Sequence, residues 1–260
     1  GSYNVAIGMS ALNDNTTADN NTAVGYYALA NNTTASNNTA VGYQAGYANT
    51  TGTQNTALGK GAMYSNTTSN ENTAVGYQAL YLNPTGAENV AVGRNALYSN
   101  LSSYNTAVGR AALAGNTTGN SNTAIGLSAL LSNTTASKNT AVGYQAGFSN
   151  TTGYNNAFVG QGAGFSNTTA TLNTAFGSEA LYTNSTGQYI TAIGEGALRF
   201  STGSENTAVG FRSAYNTSTG IYNVSLGANS IRINTTGSGN TAVGFQSLYN
   251  NTTADNNTAV

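Results

Sequence analysis

The chain has 260 residues, 6% of them charged, a formal net charge of −1, and neither cysteine nor histidine. This composition excludes disulfides, thiolate metal sites and histidine-based general acid–base chemistry, and it offers nothing to attract nucleic acid or an anionic membrane surface. No apolar run approaches the roughly 20 residues that span a bilayer, and no signal-peptide pattern is visible.

The first predicted element is Asn4-Val5-Ala6-Ile7 ending at Gly8, and the same string returns along the whole chain. Its glycine recurs at Gly25, Gly42, Gly59, Gly76, Gly93, Gly109, Gly126, Gly143, Gly160, Gly177, Gly194, Gly210, Gly227 and Gly244, at intervals of 17 residues twelve times and 16 twice. So short a period is the signature of a solenoid, in which each repeat is one coil that buries no core alone. After the glycine, each unit predicts a second short strand carrying Ala-Leu-Tyr, then an Asn-Thr-Thr return turn. Segments of four to six residues rich in Thr, Val and Tyr suit strands, and glycine recurs too often for helix. The expected fold is all-β: a parallel β-solenoid (β-roll) of about 15 coils, 17 residues per coil, two short strands per coil. Stacking at about 4.8 Å makes a rod on the order of 70 Å long.

Residues 1–260 read as one continuous array without divergent capping repeats, hence as an excerpt of a longer fibre. Two apolar columns are expected to form its core. One is the residue before each glycine, such as Val24, Val75, Val142 and Val243. The other lies four places after it, such as Leu29, Met63, Leu80 and Leu181, relaxed to Gly or Ala in four units. One coil buries about two such side chains, worth roughly 1.5–3 kcal/mol each, against roughly 1–2 kcal/mol per residue for ordering the backbone. Neighbouring coils must supply the remainder. Both 16-residue units lose their residue in the return segment, around Asn100–Asn105 and Ser201–Asn206, which marks that segment as the tolerant loop.

Two asparagine columns follow. The first lies four places before the glycine (Asn21, Asn38, Asn55 and equivalents, with Ile190 the exception) and reads as a stacked amide ladder. The second opens the Asn-Thr-Thr turn: Asn15, Asn32, Asn49, Asn66, Asn100, Asn116, Asn133, Asn150, Asn167, Asn184, Asn216, Asn234 and Asn251. Each satisfies Asn-x-Ser/Thr, the acceptor for N-linked glycan on a secreted surface loop. Pro84 spoils the tripeptide at Asn83, and Ser201 replaces the asparagine in another unit. The chain holds 19 such tripeptides, where 40 asparagines among 64 Ser and Thr would give about 10 by chance. A plain turn is the rival reading, because Asn and Thr both bond to nearby backbone. The expectation is glycosylation along one loop edge, with the sugars forming a continuous sheath.

Tyrosines after the glycine (Tyr26, Tyr43, Tyr77, Tyr144) and at the second segment's end (Tyr47, Tyr64, Tyr81, Tyr98, Tyr182, Tyr249) read as stacking ladders, with carbohydrate platforms as the alternative. The lysines and arginines read as scattered, without a patch. The eight carboxylates occupy several columns and suggest no catalytic pair. No cofactor is expected, and no metal; covalent N-linked glycans are.

The strings Asn4-Val5-Ala6-Ile7-Gly8 and Asn89-Val90-Ala91-Val92-Gly93 resemble the repeat core of trimeric autotransporter adhesin heads. The longer Thr-Ala-Val-Gly-Tyr-Gln-Ala unit (Thr39–Ala45, Thr73–Ala79, Thr140–Ala146) is similar to repeats of tail-fibre-like proteins. The resemblance implies a parallel β-roll, often three chains side by side, displayed outside a cell or virion. The expected function is a structural subunit of an extracellular, N-glycosylated fibril without catalysis. The alternative is the shaft or head of a trimeric adhesin or tail-fibre-like protein whose binding tip is elsewhere. Expected partners are copies of the chain, end to end or side by side, with carbohydrate or a cell surface next. The expected location is extracellular or at the cell surface, without nucleic acid or a membrane span.

Overall fold

Glycine sets the geometry of every coil. In the computed structural model, which describes residues Gly1–Val260, Gly42 has φ +138° and Gly93 φ +132°. A Cβ on Gly42 would stand 2.6 Å from the carbonyl oxygen of Gly59 one coil on, and a Cβ on Gly93 2.6 Å from that of Gly109. At this column successive backbones touch, and no side chain fits between them.

Three residues extend just before each glycine. In chain order the strands are β1 Val5–Ile7, β2 Thr22–Val24, β3 Thr39–Val41, β4 Thr56–Leu58, β5 Thr73–Val75, β6 Val90–Val92, β7 Thr106–Val108, β8 Thr123–Ile125, β9 Thr140–Val142, β10 Ala157–Val159, β11 Thr174–Phe176, β12 Thr191–Ile193, β13 Thr207–Val209, β14 Val224–Leu226, β15 Thr241–Val243 and β16 Thr258–Ala259. Two compact units divide them. The first is Gly1–Ser128 with Asn133–Thr135 and carries β1–β8; the second is Ala129–Ser132 with Ala136–Val260 and carries β9–β16.

In the first unit each strand pairs in parallel with the next in chain order, Ala23 opposite Ala40 and Ala40 opposite Ala57. The second unit repeats the arrangement, Ala175 opposite Ala192 and Ala192 opposite Ala208. The register advances by one repeat per coil, and the short repeats are absorbed without a slip: Val90 still faces Thr106 and Thr191 still faces Thr207. The fold is a parallel β-solenoid of coils about 17 residues long, as the periodicity predicts.

Each coil holds one strand, not two. Alternate residues of the expected second strand have positive φ, as at Tyr27 (57°) and Leu29 (48°), or Gln78 and Leu80 (both 52°). Left-handed residues cannot continue a strand. Coil-to-coil bonding nonetheless persists there: the Leu29 amide donates to the Ala45 carbonyl at 3.0 Å and the Leu80 amide to that of Ala96 at 2.9 Å. The segment is a run of turns that stacks as regularly as the strands do.

The core also differs from expectation. The residue before the glycine does not belong to it: Val75 and Val142 are half-buried and Val243 is exposed. Ile125 is 40% exposed and Phe176 52%. A three-residue strand alternates faces, so burying the central alanine (Ala23, Ala40, Ala141, Ala242) turns its Thr and Val neighbours outward. The interior consists of this alanine, the alanine three places after the glycine, the leucine next to it, and the two asparagine columns. The interior is narrow. Where Phe158 takes the alanine position in the second unit, the leucine column falls back to Gly147 and Gly164; a Cβ on either would lie 2.9 Å and 2.5 Å from the Phe158 ring. A large residue on one wall is matched by the loss of one on the other.

Candidate functional site

The Asn-Thr-Thr asparagines face inward. Asn32, Asn49, Asn66, Asn100, Asn116, Asn133, Asn150, Asn167, Asn184 and Asn234 are buried, and Asn15, Asn216 and Asn251 are half-buried. The Asn49 amide nitrogen donates to the Asn32 side-chain oxygen at 2.9 Å and to the Gly52 carbonyl at 2.9 Å. Asn66 repeats the pair toward Asn49 (3.0 Å) and Ser69 (3.2 Å). In the second unit Asn167 does so toward Asn150 (2.7 Å) and Ala170 (3.1 Å). Both amide hydrogens are thereby used, one to close the turn and one to tie the coil to its predecessor.

The ladder four places before the glycine interlocks with this one. The Asn38 backbone amide donates to the Asn21 side-chain oxygen at 2.9 Å, and the Asn38 side chain donates to the same Gly52 carbonyl at 2.9 Å. Ala35 likewise accepts from Asn21 and Asn32, both at 2.9 Å, and Gly187 from Asn173 at 2.8 Å and Asn184 at 2.9 Å. Two amide columns thus converge on one carbonyl column and fill both its lone pairs.

This geometry bears on the glycan acceptors expected from the sequence. A sugar on Nδ2 removes one of the two amide hydrogens and needs open space, and the buried ladder nitrogens of Asn49, Asn66 and Asn167 have neither to spare. Asn83 makes the comparison direct. Pro84 bars it from glycosylation, yet it is equally buried and bonds to Gly86 at 2.7 Å, in the manner of its neighbours. What the column bonds to inside the coil accounts for its recurrence in the repeats. At the interruptions the pattern weakens: Thr217 holds the ladder position beside Asn216, and its buried hydroxyl has no partner.

The tyrosines stack as ladders. Tyr47, Tyr64, Tyr81 and Tyr98 follow one another with centroids 5.1, 5.0 and 5.2 Å apart and planes within 10°. In the second unit Phe148, Phe165 and Tyr182 stack in the same column at 5.1 and 4.9 Å. Arginine then takes alternate rungs. Arg199 lies 5.4 Å from the Tyr182 ring and donates to the Tyr215 hydroxyl at 3.0 Å, and Arg232 donates to that of Tyr249 at 2.9 Å. Glu179 completes the group, 2.8 Å from Arg199.

In the first unit the cations share one column, contrary to the expectation of scatter, whereas in the second unit they occupy three. Every lysine and arginine of the first unit (Lys60, Arg94, Arg110) follows a repeat glycine, in the column that also holds Tyr26, Tyr43 and Tyr77. Lys60 sits between two of these rings, 5.5 Å from Tyr43 and 6.0 Å from Tyr77, with Arg94 5.7 Å from Tyr77. Side-chain identity alone conceals this; counting from the glycine reveals it. Beside that column runs the outward strand face, with Thr22, Thr39, Thr56 and Thr73 in one file and Val24, Val41, Leu58 and Val75 in the other. No group of three carboxylate, histidine or cysteine side chains is placed to hold a metal ion, and no helix is long and apolar enough to cross a membrane. Compared with known protein families and with curated proteins, the chain matches no family model and no curated sequence.

Proposed function

We propose that this chain is a structural segment of an extracellular fibre, acting as a scaffold and not as a catalyst. The observation that supports the reading most directly is the double asparagine ladder. Within each unit the residues richest in hydrogen-bonding capacity are committed to coil-on-coil cohesion, at the same register in repeat after repeat. Such an array extends by adding identical units, each stabilised by its two neighbours. Low charge and a polar interior ladder suit a stalk whose task is length and resistance to unravelling. The test is electron microscopy and fibre diffraction of the full chain and of native material. Filaments with a meridional repeat near 4.8 Å support the reading, and compact particles of constant diameter overturn it. Surface-shaving proteolysis of intact producing cells should release its peptides; recovery solely from lysed cells overturns the extracellular location.

The outward apolar file favours a second reading. In the second unit Phe176, Ile193, Val209 and Leu226 are exposed on the strand face. A stripe of this kind suits side-by-side packing against copies of itself, as in the shaft or head of a trimeric adhesin or tail-fibre-like protein. Native mass spectrometry separates the readings: a trimer of 26.3 kDa chains supports the second, and end-to-end polymers without a fixed lateral number support the first.

A further inference from the structure

Of the 19 Asn-x-Ser/Thr tripeptides, thirteen are the Asn-Thr-Thr turns, three begin five places before a repeat glycine, and the other three begin at half-buried Asn31, buried Asn223 and exposed Asn250. In the Asn-Thr-Thr group the acceptor asparagine points into the ladder, except at Asn216, where Thr217 takes the ladder position. In a second group it lies five places before a repeat glycine, one residue ahead of the other ladder. Asn20-Asn21-Thr22 and Asn37-Asn38-Thr39 are the cases in the first unit, and Asn256-Asn257-Thr258 repeats them in the second. Here the middle residue faces inward, the threonine starts a strand, and the first asparagine is exposed. Asn20, Asn37 and Asn256 have φ of 58°, 63° and 57°, a region that asparagine enters more readily than most residues and that aims the side chain away from the coil.

The backbone at these positions is anchored while the side chain is not. The Asn20 amide donates to Ser2 and the Asn37 amide to Asp19, both at 3.1 Å, and neither side-chain amide bonds to another group of the protein. Attachment of a sugar there breaks no rung of either ladder.

We propose that Asn20, Asn37 and Asn256 are N-glycan acceptors of this protein and that the buried Asn-Thr-Thr asparagines carry no sugar in the folded state; this rests on the proposed passage of the chain out of the cell. In the reaction the Asn20 Nδ2 attacks C1 of the first sugar of a glycan linked to lipid pyrophosphate. The N–C1 bond forms as the bond from C1 to the pyrophosphate oxygen breaks, the lipid pyrophosphate leaves, and one amide proton is released. No electron donor or acceptor is required. A chain modified instead at Asn49 would have a sugar where Asn32 and Gly52 now accept hydrogen bonds, and that coil could not close.

The test is to route the full chain through the secretory pathway of an N-glycosylating host, collect the folded product, and release its glycans enzymatically in 18O-labelled water. Each formerly glycosylated asparagine is then read by mass spectrometry as a labelled aspartate. Label at Asn20, Asn37 and Asn256, with Asn32, Asn133 and Asn234 unlabelled, is the expected result. Asn20→Gln together with Asn37→Gln should remove the label at those two positions and leave the circular dichroism and melting curve unchanged. Label on Asn32, Asn133 or Asn234 in the folded product overturns the assignment, as does secreted product whose exposed asparagines are unmodified. Native chain recovered from the cytosol without sugar, alongside the expected pattern in the secreted product, overturns the extracellular reading and supports the assignment of sites.

Discussion

At the scale of single residues, the coil interior tolerates little because it is lined by methyl groups and amides. Phe158 is the informative exception, since its ring occupies space left by Gly147 and Gly164. Phe158→Ala is expected to cost about 3–5 kcal/mol through the cavity it leaves. Adding Gly164→Leu should recover much of that loss, because the leucine column already holds left-handed residues such as Leu181 (φ 55°). Gly164→Leu alone should destabilise by collision with the ring. Urea denaturation of the two single variants and the double variant measures the coupling; additive losses would refute size compensation between the two walls. The ladder gives a second prediction. Asn49→Ala strands the Gly52 carbonyl's second lone pair, the Asn32 oxygen and the donor of Asn66, so a loss of about 2–4 kcal/mol is expected. Thr51→Ala, at an exposed position of the same turn, should cost less than about 0.5 kcal/mol. Equal losses would mean that the buried amides do not hold the coils together.

At the scale of elements, the period, the parallel stack, the turn chemistry and the inner asparagine ladder were legible in the sequence, because each depends on spacing alone. The orientation of Thr-Ala-Val was not. Valine is the more hydrophobic residue and alanine fits either face, so composition places valine inside. The structure reverses this because the interior has room for a methyl group at that point, and leucine, four places after the glycine, closes it from the opposite wall. Val142→Asp is therefore expected to be mild, and Ala141→Asp severe, by several kcal/mol for a buried unpaired carboxylate. The second segment was misread for a related reason. Its Tyr and Leu content suits strands, and the left-handed columns are marked only in some repeats, by Gly46, Gly147 and Gly164 in one and Gly61, Gly162 and Gly196 in the other, while Leu29 and Leu80 carry no such mark. The tyrosine column supports a pH prediction. Burial, then the neighbouring Tyr64, Tyr98 and Tyr77, raise the Tyr81 phenol above its ordinary value of 10.0. A neutral form favoured by folding contributes stability that is fully present below the unfolded value and is lost as pH climbs through the folded one. Absorbance at 295 nm should show Tyr81 ionising later than free tyrosine, with Tyr81→Phe removing that late phase and its share of the alkaline loss.

At the scale of the whole molecule, what repeats is also what can be added or removed. Every pairing within a unit joins residues one repeat apart, so a coil's environment is set by its two neighbours and not by its distance from the chain ends. The 16-residue repeats already show that the return turn absorbs a missing residue: Asn100 bonds to Ser102, two places on, where Asn116 bonds to Gly119, three places on, and the ladder from Asn116 to Asn100 remains closed at 2.7 Å. Removing residues 60–76, one full repeat from Lys60 to Gly76, joins Gly59 to Tyr77 and returns every column to register. Tyr47 would then meet Tyr81 in the aromatic ladder, and Asn49 would meet Asn83 in the amide ladder. That variant should retain the circular dichroism of the parent per residue and a cooperative transition shifted by only a few degrees. Removing residues 60–68 deletes about half a repeat and sets Ala57 against Asn83 and Gly59 against Thr85 in the next coil. Buried donors then lose their acceptors, and a Cβ falls where two backbones must touch. Loss of the β signal and of cooperative melting in the half-repeat variant, beside retention in the full-repeat one, is the expected pair of outcomes. Similar damage from both deletions would show that stability depends on something other than neighbouring coils in register.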